Sequence, residues 1–349
     1  MSYLATYIGL MGLRFSQVRG LYPLVLLALF VFSAFRFEVG CDWTGYLAQF
    51  ELFGRVPLSE IWLHREPLWT AIISIQTSLG LPYPWLNVIS SAIFFLGTHA
   101  LARRQPNPLA FLVLLFPVLI VNMPMSGIRQ GAAIGLVSLA FLAFLDRRSV
   151  AFVMMVLTAT GIHSSAAVFL LLTPLVGGGL TRTRLIFAAL LALPGAALLL
   201  TSDSAELATE RYVNTGVDAA GAAFRLLLLL ITAAYFFLFL NRKWAVLSPQ
   251  DHKLAFIGAL AMVLTAALLP VSSVIGDRLG YYLLPIQAMI FARAPFLRTS
   301  LNRNFVILAP YLGFLLFFGV WTALSHHFSA CYLPYQTWLF GFPAFSRYY

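Results

Sequence analysis

The stretch Leu21–Phe50, LYPLVLLALFVFSAFRFEVGCDWTGYLAQF, runs an unbroken apolar segment straight into a cluster of charge. No charged residue occurs from Leu21 to Phe35, and then Arg36, Glu38, Asp42 and Tyr46 follow within one short span. An apolar run ending so abruptly is what a helix leaving a bilayer looks like. The same pattern repeats along the whole chain. Of its 349 residues, 61% are hydrophobic and only 10% charged, with a mean hydropathy of +0.88. A hydrocarbon core of about 30 Å needs roughly 20 apolar residues per helix, so the chain supplies about ten such segments. No stretch remains for a separate soluble domain. The expectation is therefore an all-α, polytopic integral membrane helical bundle, a single transmembrane domain over residues 1–349. Continuous rather than alternating apolar runs exclude a β-barrel. Leu21–Ala34 follows Arg14 and Arg19 as a signal segment would, but no small-x-small cleavage site follows it, and we read it as a retained helix.

Charge in the short loops sets the sides. Residues 14–19, 103–107, 146–149, 177–184, 241–253 and 293–304 hold 14 basic residues and two acids, Asp146 and Asp251. The positive-inside rule puts these loops in the cytoplasm. Loops 36–66, 201–223 and 271–279 and the tail 323–349 then face the other side. Two full crossings between residues 67 and 102 would leave Arg103 and Arg104 on the wrong side, so 67–80 is interfacial or re-entrant. Residues 1–13 form a partial span or an interfacial helix. A break at Gly161–His163 divides 150–176 into a helix pair meeting within the membrane.

The net charge of +10 does not point to nucleic acid, because the basic residues are scattered through inter-helix loops where topology explains them. Twenty are arginine and two lysine. Arginine grips phosphate with a planar fork, which lysine cannot do, although a codon bias gives the same excess. No CxxC, HExxH, P-loop or dinucleotide fingerprint is present, and the adjacent His326 and His327 do not make a metal site, so neither metal nor cofactor is expected. Cys41 and Cys331 both fall on the outer side, where a disulfide can persist; two buried, unpaired thiols are the plainer expectation.

Three constellations carry possible chemistry on that side. The first is Arg36, Glu38, Asp42 and Tyr46, at a membrane boundary where partial desolvation raises a carboxylate towards a working base; its plain alternative is a solvated loop of ion pairs. The second is Ser126-Gly127-Ile128-Arg129-Gln130-Gly131, a helix start whose Gly127, Gly131 and Gly135 admit a neighbouring backbone. Its first-turn amides, Arg129 and Gln130 suit an anion, against the alternative of an arginine reaching for headgroups. The third is His163 with Ser164 and Ser165; a histidine at membrane depth either faces a cavity or locks a helix break. Arg211-Tyr212 and Arg278 with Tyr281-Tyr282 add cations and aromatic faces, and the tail Cys331–Trp338, with Tyr335, extends them.

Arg36-x-x-Val39-Gly40-x-Asp42-Trp43-x-x-Tyr46-x-x-x-Phe50 resembles the hallmark of EpsG-type, Wzy-like polysaccharide polymerases. Ser126-x-Ile128-Arg129-Gln130 is similar to the family's Ser-x-x-Arg-Gln helix start, and His163-Ser164-Ser165-Ala166 to its His-x-Ser-Ala break. Arg278 before Tyr281-Tyr282 and Leu333-Pro334-Tyr335 also fit, in the family's order. Cys41 stands where threonine is usual.

The resemblance implies a metal-independent membrane glycosyltransferase of the bacterial inner membrane, with a GT-C-like bundle as one form of the fold. It would join undecaprenyl-diphosphate-linked oligosaccharide units at the periplasmic face, beside a flippase and a chain-length regulator. The product would be an exopolysaccharide or similar surface glycan. In that reading Asp42 or Glu38 is the base and His163 positions the diphosphate or replaces the base. Arg36, Arg129, Gln130, Arg211 and Arg278 hold the diphosphate, and Trp43, Tyr46, Tyr212, Tyr281, Tyr282 and Tyr335 stack on sugars. The rival class is a transporter or flippase of a lipid-linked or anionic substrate, which also uses broken helices.

Overall fold

A computed structural model describes residues 2–342 except 17, 19, 180, 189, 191–220, 271 and 298–299. Among the described residues every regular element is helical. In chain order they are α1 (Ser2–Phe15), α2 (Leu21–Ala34), α3 (Trp43–Phe53), α4 (Pro67–Ser78), α5 (Pro84–Arg103), α6 (Pro108–Leu115), α7 (Ile128–Leu145) and α8 (Ser149–Ile162). A 3₁₀ helix follows at Ser164–Leu175. Then come α9 (Ala222–Tyr235), α10 (Asn241–Leu247), α11 (Pro249–Ala267), α12 (Ser273–Arg293), α13 (Arg303–Leu324) and α14 (His326–Tyr332). Pro84–Arg103, Ile128–Leu145, Ala222–Leu247 and Arg303–Leu324 are long and apolar enough to cross a membrane, and Leu21–Ala34, Pro108–Ile120, Ser149–Ile162 and Ser164–Leu175 are shorter apolar helices. The chain is a membrane-embedded helical protein.

The centre is α6 and its π-turn continuation, where Ala110 to Val121 are buried without a break. A helix apolar on every side belongs in the middle of a bundle. Beside it α5 packs along α7 with backbones almost touching. A Cβ on Gly97 would lie 1.9 Å from the Gly135 carbonyl oxygen, so two glycines set this contact. The short α1 packs into the bundle: Tyr3, Tyr7 and Leu10 are buried, and the Tyr7 ring meets Phe116 and Phe318.

Among the described residues, connecting segments meet in two groups. At one end Arg104 pairs with Asp146 at 2.7 Å, Arg293 pairs with Asp251 and bonds Gln105, and Lys253 caps the Gly177 and Gly178 carbonyls. At the other end meet the segments around residues 36–66 and 122–130, the start of α12 and the C-terminal tail.

Two irregular elements reach that second end without crossing from it. With 12 residues, α4 spans about 18 Å, too little for a bilayer. It lies beside α3 and α8, its Ser74 hydroxyl donating to the Val56 carbonyl, as the non-spanning reading of 67–80 expects. The break at residues 161–163 is present too. α8 ends at Ile162, His163 is extended (φ −146°, ψ 112°), and the 3₁₀ helix carries the chain back. At about 2.0 Å per residue a 3₁₀ helix makes 12 residues reach about 24 Å.

Three expectations change. Residues 36–66, read as a polar loop, contain α3 and a 3₁₀ turn at Ile61–Leu63. Asp277 and Arg278, expected in a loop, lie in the second turn of α12. Cys41 and Cys331 form a disulfide with a Cα–Cα distance of 4.8 Å rather than staying unpaired. The cause is the tail, which runs back antiparallel to the first loop. Phe37 N–H donates to Gln336 O (2.9 Å), Trp338 N–H to Phe35 O (3.0 Å) and Gly40 N–H to Cys331 O (2.7 Å), which brings the two sulfurs together.

Candidate functional site

Two cavities open at this second end. A polar one of about 480 Å³ is lined by residues that include Asp42, Tyr46, Asn122, Ser126, Arg129, Gln130, His163, Arg225, Asp277, Arg278 and Tyr281. A second, of about 550 Å³, is lined by residues that include Arg65, Glu66, Trp69, Arg129, His163, Ser164, Ile275, Arg278 and Leu279. Arg129, His163 and Arg278 belong to both.

The first turn of α7 faces the polar cavity because Gly127 and Gly131 leave no side chain between it and the Met123–Pro124 segment. The Arg129 Nη1–H donates to Glu66 Oε2 at 2.6 Å. Glu66 Oε1 in turn accepts from His163 Nδ1 (3.0 Å) and from the Ser164 N–H (2.8 Å). Burial pushes the Glu66 carboxyl up, but the His163 hydrogen bond, the Arg129 charge and the Ser164 amide outweigh it and bring it down to about 2. An ionised carboxylate only accepts, so His163 Nδ1 carries the proton of this bond. Glu66 was not singled out from sequence; it lies 63 residues from Arg129 and 97 from His163.

The polar cavity has two carboxylates on its wall. Asp277 is gripped by both arms of Arg225, at 2.6 and 2.8 Å, and the guanidinium lies 5.4 Å from the Tyr281 ring centroid. Asp42 makes no ion pair among the described residues; its carboxylate accepts from the Ser126 hydroxyl at 3.2 Å. The geometry therefore separates two acids that sequence left level. Both side chains are exposed, but Glu38, at φ 51°, lines neither cavity, whereas Asp42 lines the polar one.

Arg36 is not a ligand of either cavity. It is 1% exposed and donates inward to Val39 O (2.9 Å), Ser33 O (2.8 Å) and Asn87 Oδ1 (2.7 Å). It ties off the end of α2, where carbonyls lack helical partners. Gln130 spends its amide on the Arg278 carbonyl at 2.6 Å and so fixes α12 against α7. Of the aromatic candidates, Tyr46 and Tyr281 line the polar cavity. Burial pushes the Tyr46 hydroxyl up to about 12, so it meets a ligand as a neutral donor. Trp43 is buried between Phe37 and Tyr83, Tyr282 bonds Ser165, and Tyr335 stacks on Phe32 and bonds its carbonyl. Those three serve packing. Arg211 and Tyr212 lie outside the described residues.

Asp42, Arg129, His163 and Arg278, scattered over most of the chain, thus share one site. The profile of the EpsG family matches residues 20–337, a span holding all of them. The chain belongs to the EpsG family. No curated protein and no solved structure matches it significantly. EpsG membership makes it a membrane protein of the polysaccharide-polymerase type. Within this EpsG-family chain, the segment preceding the match contributes α1, whose Tyr3 packs against Phe328 and Tyr332 of the tail.

Proposed function

We propose that this EpsG-family protein is a glycosyltransferase of the bacterial inner membrane. It polymerises undecaprenyl-diphosphate-linked oligosaccharide units at the periplasmic face, making an exopolysaccharide or similar surface glycan. The observation that carries the reading is the position of Asp42. Its carboxylate, without an ion pair among the described residues, lies in a polar cavity whose wall of Arg129, His163 and Arg278 is shared with a second, more apolar one. A reaction between a lipid-linked glycan and a sugar hydroxyl needs these parts: a polar chamber for sugars, a base, fixed cations, and a route for a lipid diphosphate.

In the proposed step the acceptor hydroxyl oxygen attacks the anomeric carbon of the growing chain as Asp42 takes the hydroxyl proton. The anomeric C–O bond to the diphosphate breaks, and its electron pair leaves with the undecaprenyl diphosphate. Arg129, Arg278 and the α7 amides stabilise the charge that develops there, an effect strongest in a site shielded from water. Attack opposite the leaving group inverts the anomeric centre. Tyr46 and Tyr281 supply hydroxyls and ring faces to the sugars. A flippase that supplies the units and a regulator of chain length are partners that fit this activity.

The test is incubation of the purified protein with one defined lipid-linked repeat unit and no added nucleotide. Dimers and longer ladders are expected. Absence of any ladder, together with movement of the unit across a vesicle membrane, would establish a transporter instead.

A further inference from the structure

The side chain of Glu66 does an unusual thing. It occupies the N-cap of α4, immediately before Pro67, where an acid ordinarily bonds the free amides of its own helix. Glu66 makes no such bond. Its two oxygens instead collect three donors from elsewhere: Arg129 of α7, and His163 and the Ser164 amide at the helix break. Its side chain is 10% exposed and that of His163 9%, so the arrangement is largely shielded from water. This also gives α4 a purpose. A helix too short to cross the bilayer holds its N-cap residue against Arg129 and His163, which line both cavities.

We propose that Glu66 is a positioning residue for a diphosphate clamp, holding the Arg129 fork and orienting the His163 ring so that Nε2 is turned to the cavities. This rests on the polymerase reading for the identity of the anion. With Nδ1–H given to Glu66, Nε2 is the ring atom left for a ligand, and it has no protein partner among the described residues. One edge of Arg129 is committed to Glu66 Oε2, which leaves its other N–H groups aimed from a fixed base. Arg278, from α12, completes the wall. The alternative role, a mere counter-charge to Arg129, predicts the opposite sign: removing a negative charge next to the clamp would tighten anion binding.

The experiment measures inorganic pyrophosphate binding to the full-length protein in detergent by calorimetry between pH 6 and 8. Glu66→Gln keeps the shape and the acceptor for Ser164 but exchanges an obligate acceptor for an amide that also donates, releasing the imidazole from one tautomer. We expect about tenfold to a hundredfold weaker binding, the range for losing a hydrogen bond to a charged group, and an altered pH dependence of affinity. Glu66→Asp should recover part of the loss. In an Arg129→Lys background, Glu66→Gln should cost much less, because the two act through one contact. Equal or tighter binding by a folded Glu66→Gln protein, with the wild-type pH profile, would overturn the proposal. Wild-type protein that binds pyrophosphate as described but never elongates a lipid-linked unit would sink the polymerase reading and leave the clamp standing. Elongation by a wild type whose clamp is insensitive to Glu66→Gln would do the reverse.

Discussion

Gly40 and Met125 touch through their backbones: a Cβ on Gly40 would lie 1.9 Å from the Met125 carbonyl oxygen. Gly40 also holds φ at +104°, which other residues rarely adopt. This contact sets Asp42, two residues on, beside Ser126. Gly40→Ala should therefore lower both folded yield and polymer formation, with a stability loss of at least about 1–3 kcal/mol. Gly45→Ala is the matched control, since a Cβ there meets nothing within 4 Å. It sits inside α3 and should be neutral or stabilising by up to about 1 kcal/mol. Thermal unfolding of both variants in detergent checks the contrast.

Asp42→Asn should cut polymer formation by about a hundredfold to ten-thousandfold, the usual contribution of a general base, while the protein accumulates normally. Glu38→Gln should leave it unchanged, because that side chain lies outside both cavities. Polymer length in cells lacking the wild-type copy reads both.

Two arginines from similar-looking contexts should behave differently. Arg36→Ala removes three buried hydrogen bonds and should reduce the folded protein, at a cost of roughly 3 kcal/mol or more. Arg278→Ala, at an exposed position on the cavity wall, should leave folding intact and abolish most activity. Size-exclusion profiles beside turnover separate the two outcomes.

Acid should destabilise the protein through Glu66. Its carboxyl, held at about 2 against an ordinary 4.5, binds its proton more weakly in the folded chain than in the unfolded one. The stabilisation is thus complete above about pH 5 and is lost as the pH falls towards 2, on the order of 3 kcal/mol in all. Melting temperatures between pH 6 and 3 should fall for wild type and fall less for Glu66→Gln.

Reduction should loosen the site end. The Cys41–Cys331 bridge closes a loop with a sequence separation of 290, and its loss should cost about 2–4 kcal/mol, less where inserted helices already restrain the unfolded chain. A melting temperature lowered by reductant in wild type, and unresponsive in Cys331→Ser, checks this.

The bundle was legible because burial in lipid demands long apolar runs. Asp42, Arg129, His163 and Arg278 were each singled out from sequence against an ordinary alternative, and the fold brings all four to one cavity. Glu66 was not, because its partners are remote in sequence; the available signal was an acid directly before the proline that opens a helix too short to span. Arg36 misled for a related reason. Charge at the mouth of a span looks like a ligand, yet two of its three acceptors are carbonyls within three residues of it, a local role that residue type does not reveal. The tail's aromatics were read as sugar platforms, but an antiparallel return against the first loop consumes Tyr335 in packing.

That return has a consequence for biosynthesis. The polar cavity takes Cys41 and Asp42 from near the beginning of the chain and His327 and Tyr332 from near its end. A ribosome that has inserted α2 to α12 has produced all the charged groups of the site but not the rim that encloses them. The cavity thus closes only with α14, after every charged group on its wall has already been made.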